Sequence, residues 1–440
     1  MADLAIIGGG AAGCFAAAVL SEIAPGWRVS VYEAGPRLMT KLAITGGGRC
    51  NITNSFVGIC GDGASSKSIS CSANFVSVPA RLLEYAYPRG AVLMKRLLTR
   101  FGPAETLAWF GRRGVRFVTQ DDGCVFPESQ DAMQIVRTLE RAMRDAGVRV
   151  FCNSRVRRIG PDLTVEFSGC GTAAHSGTDG HLTGSPKTSS GMPCRIRPDA
   201  VLVTTGGGTA DILEDTGIEL EPAVPSLFTL KIGDAGLKEL MGTVVENAGL
   251  GIAGTRFRST GTLLLTDWGV SGPATLKLSS YAARWLAENS YRGTAVVNWL
   301  NESETEVRER LSAYSGLSKM VCNSHPYELS ERLWKHLVKR AGIAPERRWS
   351  ELGGKGISKL VNTLICDNYE IIGRARFKEE FVTCGGVSLN EIRPDTLESR
   401  RIPGLFFAGE VMDIDAITGG FNLQAAWSTA WIAAQAINNK

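Results

Sequence analysis

An apolar run, Leu4 to Ile7, opens the chain and is followed by a glycine turn, Gly8 to Gly13. A small-residue segment, Ala16 to Ile23, has helical spacing, and β-branched Arg28 to Tyr32 ends at Glu33. That order predicts strand, turn, helix and strand, a βαβ unit. Lys41 to Asn54 is polar and glycine-rich, and Val57 to Ser72 has no period, which predicts a flexible exposed loop. Helical spacing runs from Ala91 to Arg113 and is broken into two helices by Gly102-Pro103. Gln130 to Ala146 reads as an amphipathic helix. Val115 to Thr119, Val148 to Cys152, Leu163 to Phe167 and Ala200 to Thr204 read as strands, so the sheet is expected to continue past residue 150.

Ser168 to Cys194 holds fifteen Gly, Ser or Thr among 27 residues, too polar to pack a core, and predicts a second flexible loop. The texture changes near Pro222. Leu227 to Ile232 and Gly261 to Thr266 look like strands, and Ala274 to Ala287 and Glu304 to Tyr314 look helical. The opening style returns at the end, with a strand Leu405 to Ala408, a glycine-rich loop and a small-residue helix from about Leu423. The two ends are therefore expected to form one domain, 1–215 (flexible at 57–72 and 168–194) with 379–440, around an inserted β-rich and helical domain at 216–378. Such a division suits 440 residues, because one domain takes roughly 100–200.

Composition narrows the class. With 44% hydrophobic and 21% charged residues the chain reads as globular, and a net charge of +4 with scattered aromatics gives no reason to expect a nucleic-acid partner. No basic leader precedes the first strand and no apolar run reaches the ~20 residues of a membrane helix, so neither secretion nor a membrane partner is expected. Eleven cysteines without a C-x-x-C pair argue against a disulfide framework and a zinc ribbon, and favour a reducing cytoplasm. The four histidines, His175, His181, His325 and His336, have no metal-ligand spacing, and no metal site is expected.

Gly8-Gly9-Gly10-Ala11-Ala12-Gly13 is G-x-G-x-x-G between a strand and a helix, with Glu33 twenty residues later. Gly8 suits the tight turn, Gly10 the approach of a pyrophosphate, and Gly13 close helix–strand packing, while the helix N-terminus offers free amides to phosphate. Glu33 suits a ribose diol. FAD and NAD fit this fingerprint equally. In the block from Lys41 to Asn54, Gly46, Gly47 and Gly48 stand among Lys41, Thr45, Arg49 and Asn51, donors suited to anionic or carbonyl groups. The positive charge of Arg49 would lower the thiol pKa of Cys50, although the lack of a nearby resolving cysteine favours a packing role. Near the end, Gly409, Glu410 and Asp413 precede Gly419-Gly420 at the last helix. There an acid can take ribityl hydroxyls, and a helix N-terminus can stabilise charge developing on a flavin. Gly206-Gly207-Gly208-Thr209-Ala210-Asp211 lacks the last glycine of the fingerprint, so no second nicotinamide-binding domain is evident. Asp267, Ser271 and Lys355 are weaker candidates for substrate contact.

The glycine loop, KLAITGGGRCNITN, Thr204 to Gly207, LLLTDWGVSGPATLKLS, VTCGGVSL and PGLFFAGEVMDIDAITGGFNLQAAWSTA together resemble the BaiN/YhiN-type flavoproteins, also called the aminoacetone oxidase family of FAD-binding enzymes. The resemblance implies an α/β fold, a Rossmann-like two-dinucleotide-binding-domain flavoprotein with an inserted β-rich and helical domain, and non-covalent FAD. It also implies FAD contacts. Gly8, Gly9, Gly10, Ala11, Ala12, Gly13, Glu33 and Ala34 would hold the ADP half, with Val156 a backbone contact for adenine. Lys41, Thr45, Gly47, Gly48, Arg49, Cys50 and Asn51 would line the flavin side, and Thr205, Gly206 and Gly207 its flank. Gly409, Glu410, Asp413, Gly420, Asn422, Leu423 and Gln424 would serve the ribityl and isoalloxazine. The expected activity is FAD-dependent hydride transfer on a small organic substrate, with NAD(P)H as a transient donor and no catalytic acid or base assigned. Two alternatives stand beside it, a flavoprotein accessory or redox-sensing factor linked to RNA modification, and an NAD-dependent enzyme without flavin.

Overall fold

The computed structural model describes residues 1–56, 80–168, 195–208, 210–375 and 382–440. The expected loop at 57–72 and, apart from Ser168, the one at 168–194, with His175 and His181, lie outside them. Its division by internal contacts gives one unit of Met1–Ala223 with Val382–Lys440 and another of Val224–Phe381.

In the first unit five parallel strands form a sheet in the order Leu405–Phe407, Ala200–Val203, Ala2–Ile7, Trp27–Tyr32, Arg149–Phe151. Their apolar residues are buried on both faces, as a parallel sheet covered by helices requires. Ile7 is level with both Val203 and Tyr32, and Val203 is level with Phe407. The segments leaving these strands, Gly8, Glu33, Thr204 and Ala408, therefore emerge side by side at the carboxyl edge, where open α/β sheets bind ligands.

Two helices fasten this edge. The opening helix, Ala11–Ile23, begins earlier than the apolar spacing indicates because the small Ala11 to Gly13 turn is already helical, and it is buried from Ala12 to Leu20. The last helix, Phe421–Asn438, sends Trp427 into the same core, its ring 5.2 Å from that of Phe15, which also meets Trp109 at 4.8 Å. Burying each of these rings contributes about 1.5–3 kcal/mol. The chain's two ends are thereby joined through one core.

Not every strand extends this sheet. Val165–Phe167 pairs antiparallel with Val156–Ile159 and Arg195–Ile196 in a separate sheet. The turn at Gly160 to Leu163, closed by Gly160 N–H donating to Thr164 O at 2.7 Å, makes a hairpin, whereas joining the parallel sheet would require a crossover. Phe117–Thr119 likewise pairs with Cys124–Pro127, which pairs with Thr53–Asn54.

The second unit is a closed six-stranded antiparallel barrel, Leu230–Ile232, Gly269–Ser271, Arg258–Leu265, Val244–Ile252, Gly293–Asn298 and Asp367–Arg374, with helices that include Glu331–Arg340 and Trp349–Ile365. Closure leaves no sheet edge exposed. Asp367, 5% exposed, accepts from Arg340, from Trp299 Nε1 at 3.1 Å and from the Tyr369 hydroxyl at 2.6 Å, so its buried charge is fully satisfied. The expected class is the one found, a Rossmann-like α/β fold with a β-rich and helical insertion. Among the described residues no helix is long and apolar enough to cross a membrane.

Candidate functional site

The glycine loop assigns its positions different tasks. A methyl group on Gly8, at φ +107°, would lie 2.6 Å from Thr204 O, one on Gly9 2.3 Å from Leu38 Cδ2, and one on Gly13 2.0 Å from Gly8 O. At Gly10 it would meet nothing within 4 Å. Three glycines thus permit close packing and one leaves open space. The opening helix starts with no side-chain cap, so the amides of Ala11 and Ala12 are open to an anion. Glu33 accepts from Gly9 N–H at 2.8 Å and Gly35 N–H at 2.7 Å, which holds its carboxylate against the loop beside exposed Ala34. The chain leads on to Val156 through Ser154, whose N–H donates to Glu33 O at 2.8 Å. Thr204 Oγ1 donates back to Ile7 and Gly8 carbonyls, while the buried Thr205 Oγ1 has no partner among the described residues. Gly206, at φ +82°, borders Glu410, and a Cβ on Gly207 would lie 2.2 Å from that of Thr383.

The second block turns on three consecutive left-handed glycines, Gly46, Gly47 and Gly48, at φ +64°, +69° and +83°. Space beside Gly47 and Gly48 is open. Lys41 is exposed on the preceding short helix, and Thr45 Oγ1 caps its carbonyl at 2.8 Å. Arg49 lies exposed with its guanidinium 4.5 Å from the Phe126 ring centre. Cys50 is fully buried, and burial pushes its thiol up to about 12, the reverse of the lowering expected from neighbouring Arg49. Asn51 presents a buried Oδ1 without a partner among the described residues, 2.7 Å from where a Cβ on Gly420 would stand.

The chain's far end closes on this block. Gly409 donates to Thr429 Oγ1 at 2.9 Å, and a Cβ there would lie 2.9 Å from that of Ala12. Glu410 accepts from Thr383 N–H at 2.6 Å. Burial raises its carboxyl above the usual range, against the opposing pull of Lys41 and the amides of Thr383 and Gly207. Asp413, 9% exposed, is anchored by its N–H on Val387 O. Gly420, at φ +91°, starts the last helix with no side-chain cap. Asn54 Nδ2 donates to Gly419 O at 3.0 Å, and Trp427 Nε1 donates to Ile52 O at 3.0 Å.

Two of the expected cofactor residues use their side chains within the protein. Asn422 uses its amide on both backbone groups of Ala416, at 2.9 Å each, and so closes the preceding loop. Gln424, fully buried, accepts from Thr53 and Thr106 hydroxyls and donates to Ser428 Oγ. The half-buried Leu423 packs on the core of the first unit. Thr383 and Asn54, which bond Glu410 and Gly419, were not singled out from the sequence. Both stand in the VTCGGVSL and GGGRCNITN blocks, which carried the only available signal. In the second unit His325 lies 5.0 Å from the Trp334 ring, Lys355 is exposed on a helix, and Ser271 ends a barrel strand. Asp267 is exposed in the turn before that strand.

The open cradle at Gly10, Gly47 and Gly48, the orphaned Asn51 Oδ1 and Thr205 Oγ1, and Glu33 beside the uncapped helix fit a dinucleotide laid across the sheet edge. The family model described as HI0933-like protein Rossmann domain matches residues 71–436. The 3-dehydro-bile acid delta(4,6)-reductase of Clostridium scindens is 27% identical over 449 residues, covering 99% of both chains. The ribosomal RNA dihydrouridine synthase of Escherichia coli is 28% identical over 456 residues, covering 98% of this chain and 97% of the relative. Among solved structures, the 3-ketosteroid-delta4-(5alpha)-dehydrogenase of Rhodococcus jostii superposes with a TM-score of 0.47 at 12% identity, covering 98% of this chain and 96% of that one. Matched over most of its length by that Rossmann model, the chain belongs to the HI0933-like family of Rossmann-domain flavoproteins and is an oxidoreductase.

Proposed function

We propose that the protein is an FAD-dependent reductase of a carbon–carbon double bond conjugated with a carbonyl group in a ring substrate. The observation that carries the reading is the sheet edge itself. There the open glycine cradle, Glu33, and the uncapped last helix clasped by residues 51–54 stand at adjoining strand ends. Gly10 and the Ala11 and Ala12 amides hold the pyrophosphate, and Glu33 holds the adenosine ribose. Glu410 and Asp413 serve the ribityl side, and the backbone at Gly420 to Leu423 serves the ring. Bound flavin supplies the hydride chemistry, and the protein supplies orientation and electrostatics.

The names of both relatives describe one kind of bond. A delta(4,6)-reductase of a 3-dehydro acid acts on double bonds conjugated with a ketone, and dihydrouridine is uridine whose ring double bond beside a carbonyl has been saturated. We assign substrate recognition to the unit Val224–Phe381. With one complete dinucleotide fingerprint in the sequence, NAD(P)H acts as a transient donor at the flavin.

A second reading, a flavoprotein acting on RNA, draws support from the ribosomal RNA relative matched along its whole length, and the net charge of +4 weighs against it. Anaerobic reduction by NADH or NADPH, followed by addition of a 4-ene-3-ketosteroid or of unmodified ribosomal RNA, separates the two. Reoxidation of the flavin by the steroid supports the first reading, and reoxidation by RNA alone replaces it with the second. Failure of both nucleotides to bleach the flavin removes NAD(P)H as donor.

A further inference from the structure

The loop from Asp413 to Gly420, which delivers the last helix to the cofactor site, is held by a segment that no sequence motif marked. Ile417 N–H donates to Ala86 O at 3.0 Å, and the buried Tyr87 hydroxyl donates to Phe421 O at 3.0 Å. Arg89 makes a forked ion pair with Asp415, whose side chain is fully buried, and only 12% of the arginine side chain is exposed. Gly90, at φ +78°, brings the backbone so close that a Cβ would lie 2.7 Å from Ile414 Cγ1. Four successive contacts along five residues thus grip the loop on one side, while Asn54 grips Gly419 on the other.

The charge at the centre of this grip matters. Asp415 precedes Ala416, whose backbone is held by Asn422 in the first turn of the last helix, so its charge stands near that helix's start; it also adds slightly to the raising of the Glu410 carboxyl. Without the positive charge of Arg89 beside it, this carboxylate would more strongly oppose the positive end of the last helix, the feature suited to stabilising charge on a reduced flavin. We propose that Arg89 is a positioning residue that neutralises Asp415 and fixes the loop, and that it thereby sets the cofactor's reduction potential. The inference rests on the FAD-dependent reading above.

The test uses the full chain loaded with FAD, with the potential read by equilibration against a dye of known potential. Arg89→Met is expected to weaken binding of reduced relative to oxidised FAD about tenfold, a potential ~30 mV more negative for a two-electron couple. Arg89→Lys, which keeps the charge, and the double variant Arg89→Met/Asp415→Asn, which removes both charges, should each recover most of that shift. If Arg89→Met does not fold, Asp415→Asn alone carries the test, and its potential should rise above wild type because one negative charge beside the loop is removed. Arg340→Lys in the second unit, which loosens the arginine held on buried Asp367, serves as the control for general destabilisation and should leave the potential unchanged. A wild-type potential in Arg89→Met, no recovery in the double variant, or an equal shift in Arg340→Lys overturns the proposal. Wild-type protein that binds no FAD overturns instead the reading on which it rests.

Discussion

At Gly13 an added methyl group would lie 2.0 Å from the Gly8 carbonyl oxygen, whereas at Gly10 the same group meets open space. Gly13→Val is therefore expected to destabilise the FAD-free protein by about 3 kcal/mol or more, since neither backbone can give way. Gly10→Ala should leave its melting temperature nearly unchanged yet weaken FAD binding at least tenfold, a loss of about 1.4 kcal/mol. Thermal melts paired with fluorescence titration check both, and equal FAD affinity in Gly10→Ala would remove the pyrophosphate from that position. Glu410 gives a pH test. Its folded carboxyl lies above the ordinary value of about 4.3, so the folded state keeps a proton that the unfolded chain has lost. Stability of the FAD-free protein should therefore fall as pH rises from the ordinary value through the raised one, and Glu410→Gln should flatten that slope. At this scale the glycine loop was legible because its spacing encodes geometry directly. The directions of Asn422 and Gln424 were not, because an amide serves a ligand, a loop or a core equally well until its neighbours are known. Cys50 was misjudged electrostatically for a related reason, since sequence adjacency to Arg49 carries no information about burial.

The last helix illustrates how an element is fixed by partners distant in sequence. Gln424 satisfies the hydroxyls of Thr53 and Thr106 and reaches Ser428, all within the core. Gln424→Ala takes the acceptor from the buried Thr53 hydroxyl, leaves Thr106 only the Gly102 carbonyl, and opens a cavity, so denaturant melts should show a loss of about 2–4 kcal/mol. A surface-like change below about 0.5 kcal/mol would contradict the fully enclosed network. Strand and helix positions were largely readable from periodicity, because apolar spacing reports which face is buried. Pairing was not. Val165–Phe167 reads as a strand just as Ala200–Val203 does, yet the short turn before it commits it to a hairpin. The grip of Tyr87 and Arg89 on the last loop was equally hidden, because contacts separated by more than 300 residues leave no local pattern.

Across the whole molecule, the two ends of the sequence meet in one parallel sheet, where Leu405–Phe407 flanks Ala200–Val203, itself beside the first strand. The similar glycine and small-residue texture of both ends made that return readable. The barrel's closure was not, since six short strands can close or stay open with the same alternation. Every residue proposed to hold the cofactor belongs to Met1–Ala223 or Val382–Lys440, so flavin binding is the property on which the functional reading stands. The most direct measurement is the visible absorption spectrum of the purified protein, taken as isolated and after reconstitution with FAD and removal of excess. Flavin bands shifted from those of free FAD, retained through gel filtration at one FAD per chain, are the expected result. A protein that remains colourless after reconstitution would contradict it.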